Sequence, residues 1–164
     1  MSKPTVLIIC GVAGSGKTTV GKALAEKLGW QFADADQFHS AANIEKMSKG
    51  IPLTDEDRAP WLESMRDAIS SWLENGSPTV LACSALKERY RQHLCVDKQK
   101  VHFIFLKAPR EVLLQRLQNR GAHFMKVNML DSQFETLEVP IDAITVDACA
   151  PLKKVISAIL EATI

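Results

Sequence analysis

Gly11 and Gly16 flank four residues, Val12, Ala13, Gly14 and Ser15, and are followed directly by Lys17 and Thr18. That spacing is the P-loop pattern. Its glycines let the backbone curl with N–H groups facing inward, where they and the positive end of a following helix hold a polyphosphate. Lys17 is placed to reach the β- and γ-phosphates, and the Thr18 hydroxyl to ligate the Mg²⁺ that accompanies the nucleotide. A second group of candidates follows in Asp34-Ala35-Asp36-Gln37-Phe38-His39. Two acids, two residues apart and beside a phosphate loop, can divide the work, one holding Mg²⁺ through water and the other accepting a proton. Asx residues also form turns, so a structural reading of the pair stays open.

These groups need elements to position them. Residues 5–10 are an unbroken apolar run rich in β-branched side chains, which reads as a strand buried on both faces, and Val20, Ala23, Leu24 and Leu28 keep helical spacing until Gly29. Strand, phosphate loop and helix are the context the motif requires. A second strand over residues 30–34 delivers Asp34 and Asp36 at its carboxyl end, where parallel α/β sheets bind ligands. A helix is expected over 41–49. A longer one follows an N-cap pattern close to a capping box at Thr54 and packs through Trp61, Leu62, Met65, Ile69, Trp72 and Leu73. Arg58 falls in its first turn, where a cation opposes the helix dipole; a job at the site and an ion pair with Asp55 or Asp57 both explain that placement.

The third strand, 79–83, ends in Ser84, where many P-loop ATPases carry an acidic Mg²⁺ partner, so the acids must come from Asp34 and Asp36. Lys87 to Arg91 is a short basic helix with Leu86, Tyr90 and Leu94 inside. A fourth strand covers 101–106, and the helix opened by Pro109 packs through Val112, Leu113 and Leu117 while Arg116 and Arg120 share one face. Gly121 and a second amphipathic stretch through Met129, Leu130 and Phe134 make a helical lid over about 116–138. A fifth strand over 141–146 and a final helix over 151–162, packed through Leu152, Val155, Ile156 and Ile159, complete one α/β domain spanning 1–164 with a five-stranded parallel sheet. Pattern alone leaves the strand order open.

With 164 residues and 46% hydrophobic side chains, one domain can bury a full core. No apolar run is long enough to span a bilayer and no room precedes the first strand for a signal peptide, so a soluble cytoplasmic protein is expected. The four cysteines are scattered singly, as for buried reduced thiols rather than a zinc site. A net charge of +1 argues against nucleic-acid and membrane partners. The charge is nonetheless uneven, with ten Lys or Arg and only three acids between Lys87 and Lys126, which marks the middle third as the anion-handling part.

A P-loop without a strand-three acid and without a guanine-reading element suits a small-molecule kinase better than a switch or a motor. The chain resembles the gluconokinases of the P-loop class through Gly11 to Thr18, Asp34-x-Asp36-x-x-His39, Asn43-Ile44-Glu45-Lys46-Met47 and Gly50-x-Pro52-Leu53-x-Asp55-x-Asp57-Arg58-x-Pro60-Trp61-Leu62. The resemblance continues in Cys83-Ser84-Ala85-Leu86-Lys87 with Tyr90-Arg91, in His123-Phe124-Met125 and in Ser132-Gln133-Phe134-x-Thr136-Leu137-Glu138-x-Pro140. It implies transfer of the ATP γ-phosphoryl group to the 6-hydroxyl of D-gluconate with Mg²⁺. It also implies a three-layer, nucleoside-monophosphate-kinase-like fold with strand order 2-3-1-4-5, a lid and a homodimer. A substrate with one carboxylate and several hydroxyls calls for a guanidinium and short polar groups, which Arg58, Arg91, His39, Ser84 and Lys87 supply. Asp36 is expected at the sugar hydroxyl, Asp34 with Thr18 at the metal, and Arg120, with Arg116 as the weaker candidate, over the phosphates; the two aspartates could exchange roles. Shikimate kinase is the nearest enzymatic rival, and a nucleotide-binding module without turnover is the rival from another class.

Overall fold

The computed structural model describes residues 3–119 and 124–163. In chain order its elements are β1 (Val6–Cys10), α1 (Lys17–Leu28), β2 (Gln31–Asp34), a 3-10 turn (Ala35–Phe38), α2 (Ala41–Ser48), α3 (Asp55–Asn75) and β3 (Thr79–Ala82). They continue with α4 (Glu88–Leu94), β4 (Val101–Lys107), α5 (Arg110–Asn119), α6 (Phe124–Thr136), β5 (Ile144–Asp147) and α7 (Leu152–Thr163). The five strands form one sheet in the order β2-β3-β1-β4-β5, all pairs parallel.

β1 is buried along its whole length because layers of side chains cover it on both faces. Val6, Ile8 and Cys10 point into one layer, with Trp61, Leu62, Met65 and Ile69 of α3 and Tyr90 and Leu94 of α4. Leu7 and Ile9 point into the other, with Val20 and Leu24 of α1 and Val155 and Ile159 of α7. A smaller cluster of Val12, Leu86, Leu113, Leu117 and Leu130 lies beyond the strand ends and joins the phosphate loop to α5 and α6. Among the described residues no helix is long and apolar enough to cross a membrane.

The register places the site. Ala82 of β3 pairs with Ile9 of β1 on one side and with Asp34 of β2 on the other. The carboxyl ends of β1, β2 and β3 therefore emerge side by side, carrying the phosphate loop, the Asp34–Asp36 pair and Ser84.

Three expectations need correction. The fifth strand begins at Ile144 rather than 141, since its ladder with β4 starts at Ile104 opposite Ile144, and Ile141 is 94% exposed. Leu152 opens α7 but stays exposed, because the buried stripe of that helix is Val155 and Ile159. Cys10 and Cys83 are buried free thiols, pushed up to about 12 by that burial, whereas Cys149 is exposed and Cys95 half-buried.

Candidate active site

The loop between β1 and α1 has the form of a phosphate cradle. Gly14 and Gly16 take φ of +82° and +95°, in the left-handed region, and a Cβ on Gly14 would lie 3.1 Å from the Leu113 carbonyl oxygen. Gly16 is the N-cap of α1 and supplies no side-chain cap, so the first turn of that helix keeps N–H donors for an anion. Ser15 Oγ is buried and has no hydrogen-bond partner among the described residues. A buried hydroxyl without a partner, an uncapped helix start and the curled glycine backbone fit a nucleotide polyphosphate. Lys17 folds back to donate to the Val12 carbonyl at 3.1 Å; burial pushes its ammonium pKa down, and the nearby Cys83, Asp36, Cys10 and Asp34 act the other way.

Asp34 and Asp36 separate cleanly. Asp34 Oδ2 accepts from the Thr18 hydroxyl at 3.2 Å, while Oδ1 accepts from the Asp36 N–H at 3.0 Å and so caps the 3-10 turn. Asp34 is thus both a turn former and the partner of Thr18. Asp36 lines the cavity, and its carboxylate takes no hydrogen bond from the described residues. Desolvation by the surrounding protein raises its pKa from the ordinary carboxylate range, the Asp34 charge adds to this, and Lys17 opposes it. Among the described residues no group of three His, Cys, Asp or Glu side chains could hold a metal by itself. Thr18 and Asp34 are oxygen donors of the kind Mg²⁺ accepts, and the phosphates would complete its coordination.

Phosphate loop and aspartates open onto a cavity of 260 Å³ whose far wall carries His39, Arg58 and Ser84 and whose roof is α6, through Met129, Ser132, Gln133 and Thr136. His39 stacks on Trp61 with ring centroids 4.3 Å apart. The Asn43 amide donates to His39 Nδ1 at 3.3 Å and to the Asp57 carbonyl at 2.8 Å, which leaves the histidine proton on Nε2. Burial, and then the Arg58 charge, lower the His39 pKa to about 4, so the ring stays neutral.

Arg58 does not pair with Asp55 or Asp57. The capping box at Thr54 and the Lys46 ammonium occupy Asp57, holding its carboxyl down at about 2. Asp55 takes the Tyr90 hydroxyl at 2.5 Å, Lys87 at 3.0 Å and Arg89, which together hold it far below the carboxylate range. Arg58 spends one N–H on the Tyr90 oxygen at 3.1 Å, and its guanidinium lies over that ring. Arg58 lines the cavity, and among the described residues no carboxylate pairs with it, which suits an incoming anion.

Three other expected contacts are placed elsewhere. Arg91 is buried, and its five N–H groups go to the carbonyls of Ala85, Leu86 and Glu138 and twice to Glu88 Oε2. With no donor left, it shapes the turn after β3 rather than touching a substrate. That turn is strained, since buried Ala85 sits at φ 43°, and the Arg91 bond to its carbonyl helps to hold it. Lys87 belongs to the Asp55 cluster outside the cavity lining. Arg116 donates to the Gly14 carbonyl at 3.3 Å and the Ala148 carbonyl at 2.5 Å, bracing the phosphate loop against the β5–α7 connection. Arg120 and His123 lie outside the described residues. Tyr90, Asn43 and Gln133 are the contributors that residue type had not marked: Tyr90 and Gln133 act through partners distant in sequence, and Asn43 by orienting His39 one turn before it.

Comparison with known proteins now bears on these residues. The shikimate kinase family model matches residues 13–140. The gluconokinase of Gluconobacter oxydans is 48% identical over 140 residues, covering 85% of this chain and 79% of that protein. The crystal structure of a gluconokinase from Sinorhizobium meliloti superposes with a TM-score of 0.87 at 39% identity, covering 99% of this chain and 93% of the other. A shikimate kinase from Acinetobacter baumannii reaches 0.59 at 21% identity, with 98% of this chain and 93% of that one covered, and shares the fold. Shikimate kinases thus describe the architecture, and the higher identity lies with one group built on it: the chain belongs to the gluconokinase family of ATP-dependent P-loop kinases.

Proposed function

We propose that this chain transfers the γ-phosphoryl group of ATP to the 6-hydroxyl of D-gluconate, giving 6-phospho-D-gluconate and ADP, with Mg²⁺ as the metal. The observation that supports the reading is that one cavity is lined by the phosphate loop, by Asp36 and by Arg58, which no carboxylate among the described residues pairs. At 260 Å³ it lies below the roughly 300–1,000 Å³ of sites for drug-sized ligands, a size compatible with a small polar acceptor.

Arg58 clamps the substrate carboxylate, while His39, through Nε2–H, and Ser84 hold hydroxyls along the chain. The opposite end of the extended sugar acid then reaches Asp36, which orients the 6-hydroxyl and accepts its proton as the bond to phosphorus forms. Lys17 and the α1 N-terminus hold the transferring group and the leaving diphosphate in line. Mg²⁺, held by Thr18 and Asp34, would neutralise charge developing on the β- and γ-oxygens. A homodimer, cytoplasmic residence and a role in gluconate use belong to the same proposal and rest on the family relation.

The test is ADP release measured with gluconate, with shikimate and with no acceptor. Release with gluconate alone is expected. Equal release without acceptor, or release driven by shikimate, would contradict the reading. Lys17→Ala should lower turnover by about 10²-fold or more while the protein still folds.

A further inference from the structure

The Ser132-Gln133-Phe134 block is among the most particular stretches of the sequence, yet no step above uses Gln133. Its side-chain oxygen Oε1 accepts the backbone N–H of Ala13 at 2.7 Å, linking α6 to the phosphate loop across 120 residues of chain. Since a backbone N–H can only donate, this bond fixes which way the carboxamide faces: oxygen toward the loop and NH₂ away from it. Neither N–H of that NH₂ has a protein acceptor among the described residues. Gln133 lines the cavity together with Lys17 and Asp36, between the phosphate cradle and the acceptor side. Leu130, fully buried, and the partly buried Phe134 pack α6 into the cluster that also holds Val12, Leu113 and Leu117, so the helix cannot drift from the loop without opening that cluster.

We propose that Gln133 is a catalytic contact to the γ-phosphoryl group: Ala13 holds its carbonyl while its NH₂ donates to a non-bridging γ-oxygen. The inference rests on the ATP reading above and deepens it. A neutral donor at this place adds hydrogen bonds to a group whose charge is spread over its equatorial oxygens. The same bond couples the presence of a third phosphate to the position of α6, because ADP has no atom for the NH₂ to hold. A glutamate here would lose both donors and bring a negative charge against the phosphates, and a methionine would remove donor and acceptor while keeping the volume.

The test is calorimetric binding of Mg·ADP and of the Mg²⁺ complex of the β,γ-imido analogue of ATP to the wild type, Gln133→Glu and Gln133→Met, with kcat measured alongside. Expected is a loss of analogue affinity of about 10- to 100-fold in both variants, the span for a hydrogen bond to a charged group, with a clearly smaller loss for ADP and kcat reduced. Equal weakening of ADP and analogue would overturn the inference in favour of a brace for the phosphate loop, as would an unchanged ratio of the two affinities. A wild type that binds neither nucleotide would overturn the ATP reading and this inference with it. If Gln133→Glu fails to fold, the isosteric methionine carries the same comparison.

Discussion

Asp34 is spent on the Thr18 hydroxyl and on the turn that follows β2, whereas Asp36 faces the cavity with a raised pKa. An aspartate that accepts the hydroxyl proton is useful only when ionised. Asp36→Asn should therefore lower kcat with gluconate by about 10²- to 10⁴-fold while leaving the affinity for an ATP analogue almost unchanged. With the raised pKa, wild-type kcat should begin to fall on acidification at a higher pH than an ordinary carboxylate would dictate. His39, lowered to about 4, should contribute no inflection near its ordinary 6.5; a histidine-type inflection that disappears in His39→Gln would contradict this. Tyr90 shows how one atom can matter through another, since its hydroxyl donates to Asp55 and accepts from Arg58. Tyr90→Phe should raise the KM for gluconate about 3- to 10-fold with kcat preserved, because only the aim of the clamp is loosened. That the phosphate loop and both aspartates would meet beyond the strand ends was legible from residue type and spacing, and Arg58, which lines the same cavity, stood out by its place against the helix dipole. Arg91 and Lys87 were not, because a basic side chain at the end of a strand looks the same in sequence whether it meets a ligand, a carbonyl or a neighbouring acid.

α4 and the end of α6 are joined as one unit. Glu138 accepts the Glu88 N–H at the start of α4, donates its own N–H to the Leu86 carbonyl and offers its carbonyl to Arg91. α4 has no side-chain cap of its own at Lys87, so a side chain from beyond α6 fills that role. Arg91→Met would leave the carbonyls of Ala85, Leu86 and Glu138 without this donor. It should cost at least about 1–3 kcal/mol in denaturant unfolding, the desolvation penalty of a buried acceptor left unpaired. Lys87→Ala, which opens an ion pair at the surface, should stay within about 1 kcal/mol. Near-equal losses in the two variants would remove the distinction drawn between them. Helices α1 and α3 and strands β1, β3 and β4 follow from apolar periodicity because they are buried by neighbours on the sheet. The start of β5 and the packing of Leu152 were misjudged at the edge, where Ile141 and Leu152 are exposed and apolar character says little about pairing.

Across the whole molecule, three adjacent strand ends bring the phosphate loop, the Asp34–Asp36 pair and Ser84 to one cavity, the first turn of α3 adds Arg58, and α6 closes it from above. The order of the strands was not readable from pattern, since any right-handed parallel arrangement satisfies the same hydrophobic runs; it came with the family resemblance, and the register then explains why residues of β1, β2 and β3 meet. Among the described residues, the basic middle third does not supply the unpaired guanidinium of the cavity. Arg91 and Arg116 hold backbone carbonyls around the site, while Arg58, from outside that stretch, keeps donors for an anion. The account therefore stands on a substrate carboxylate facing Arg58 while the far hydroxyl meets Asp36. Its most direct test is kcat/KM for gluconate against D-glucitol, which keeps the hydroxyl chain and lacks the carboxylate, in the wild type and in Arg58→Ala. The wild type should favour gluconate by about 10- to 100-fold or more, the worth of a charge-assisted pair, and the variant should bring the ratio close to one. A wild type indifferent to the carboxylate, or a variant that keeps the full preference, would contradict the account.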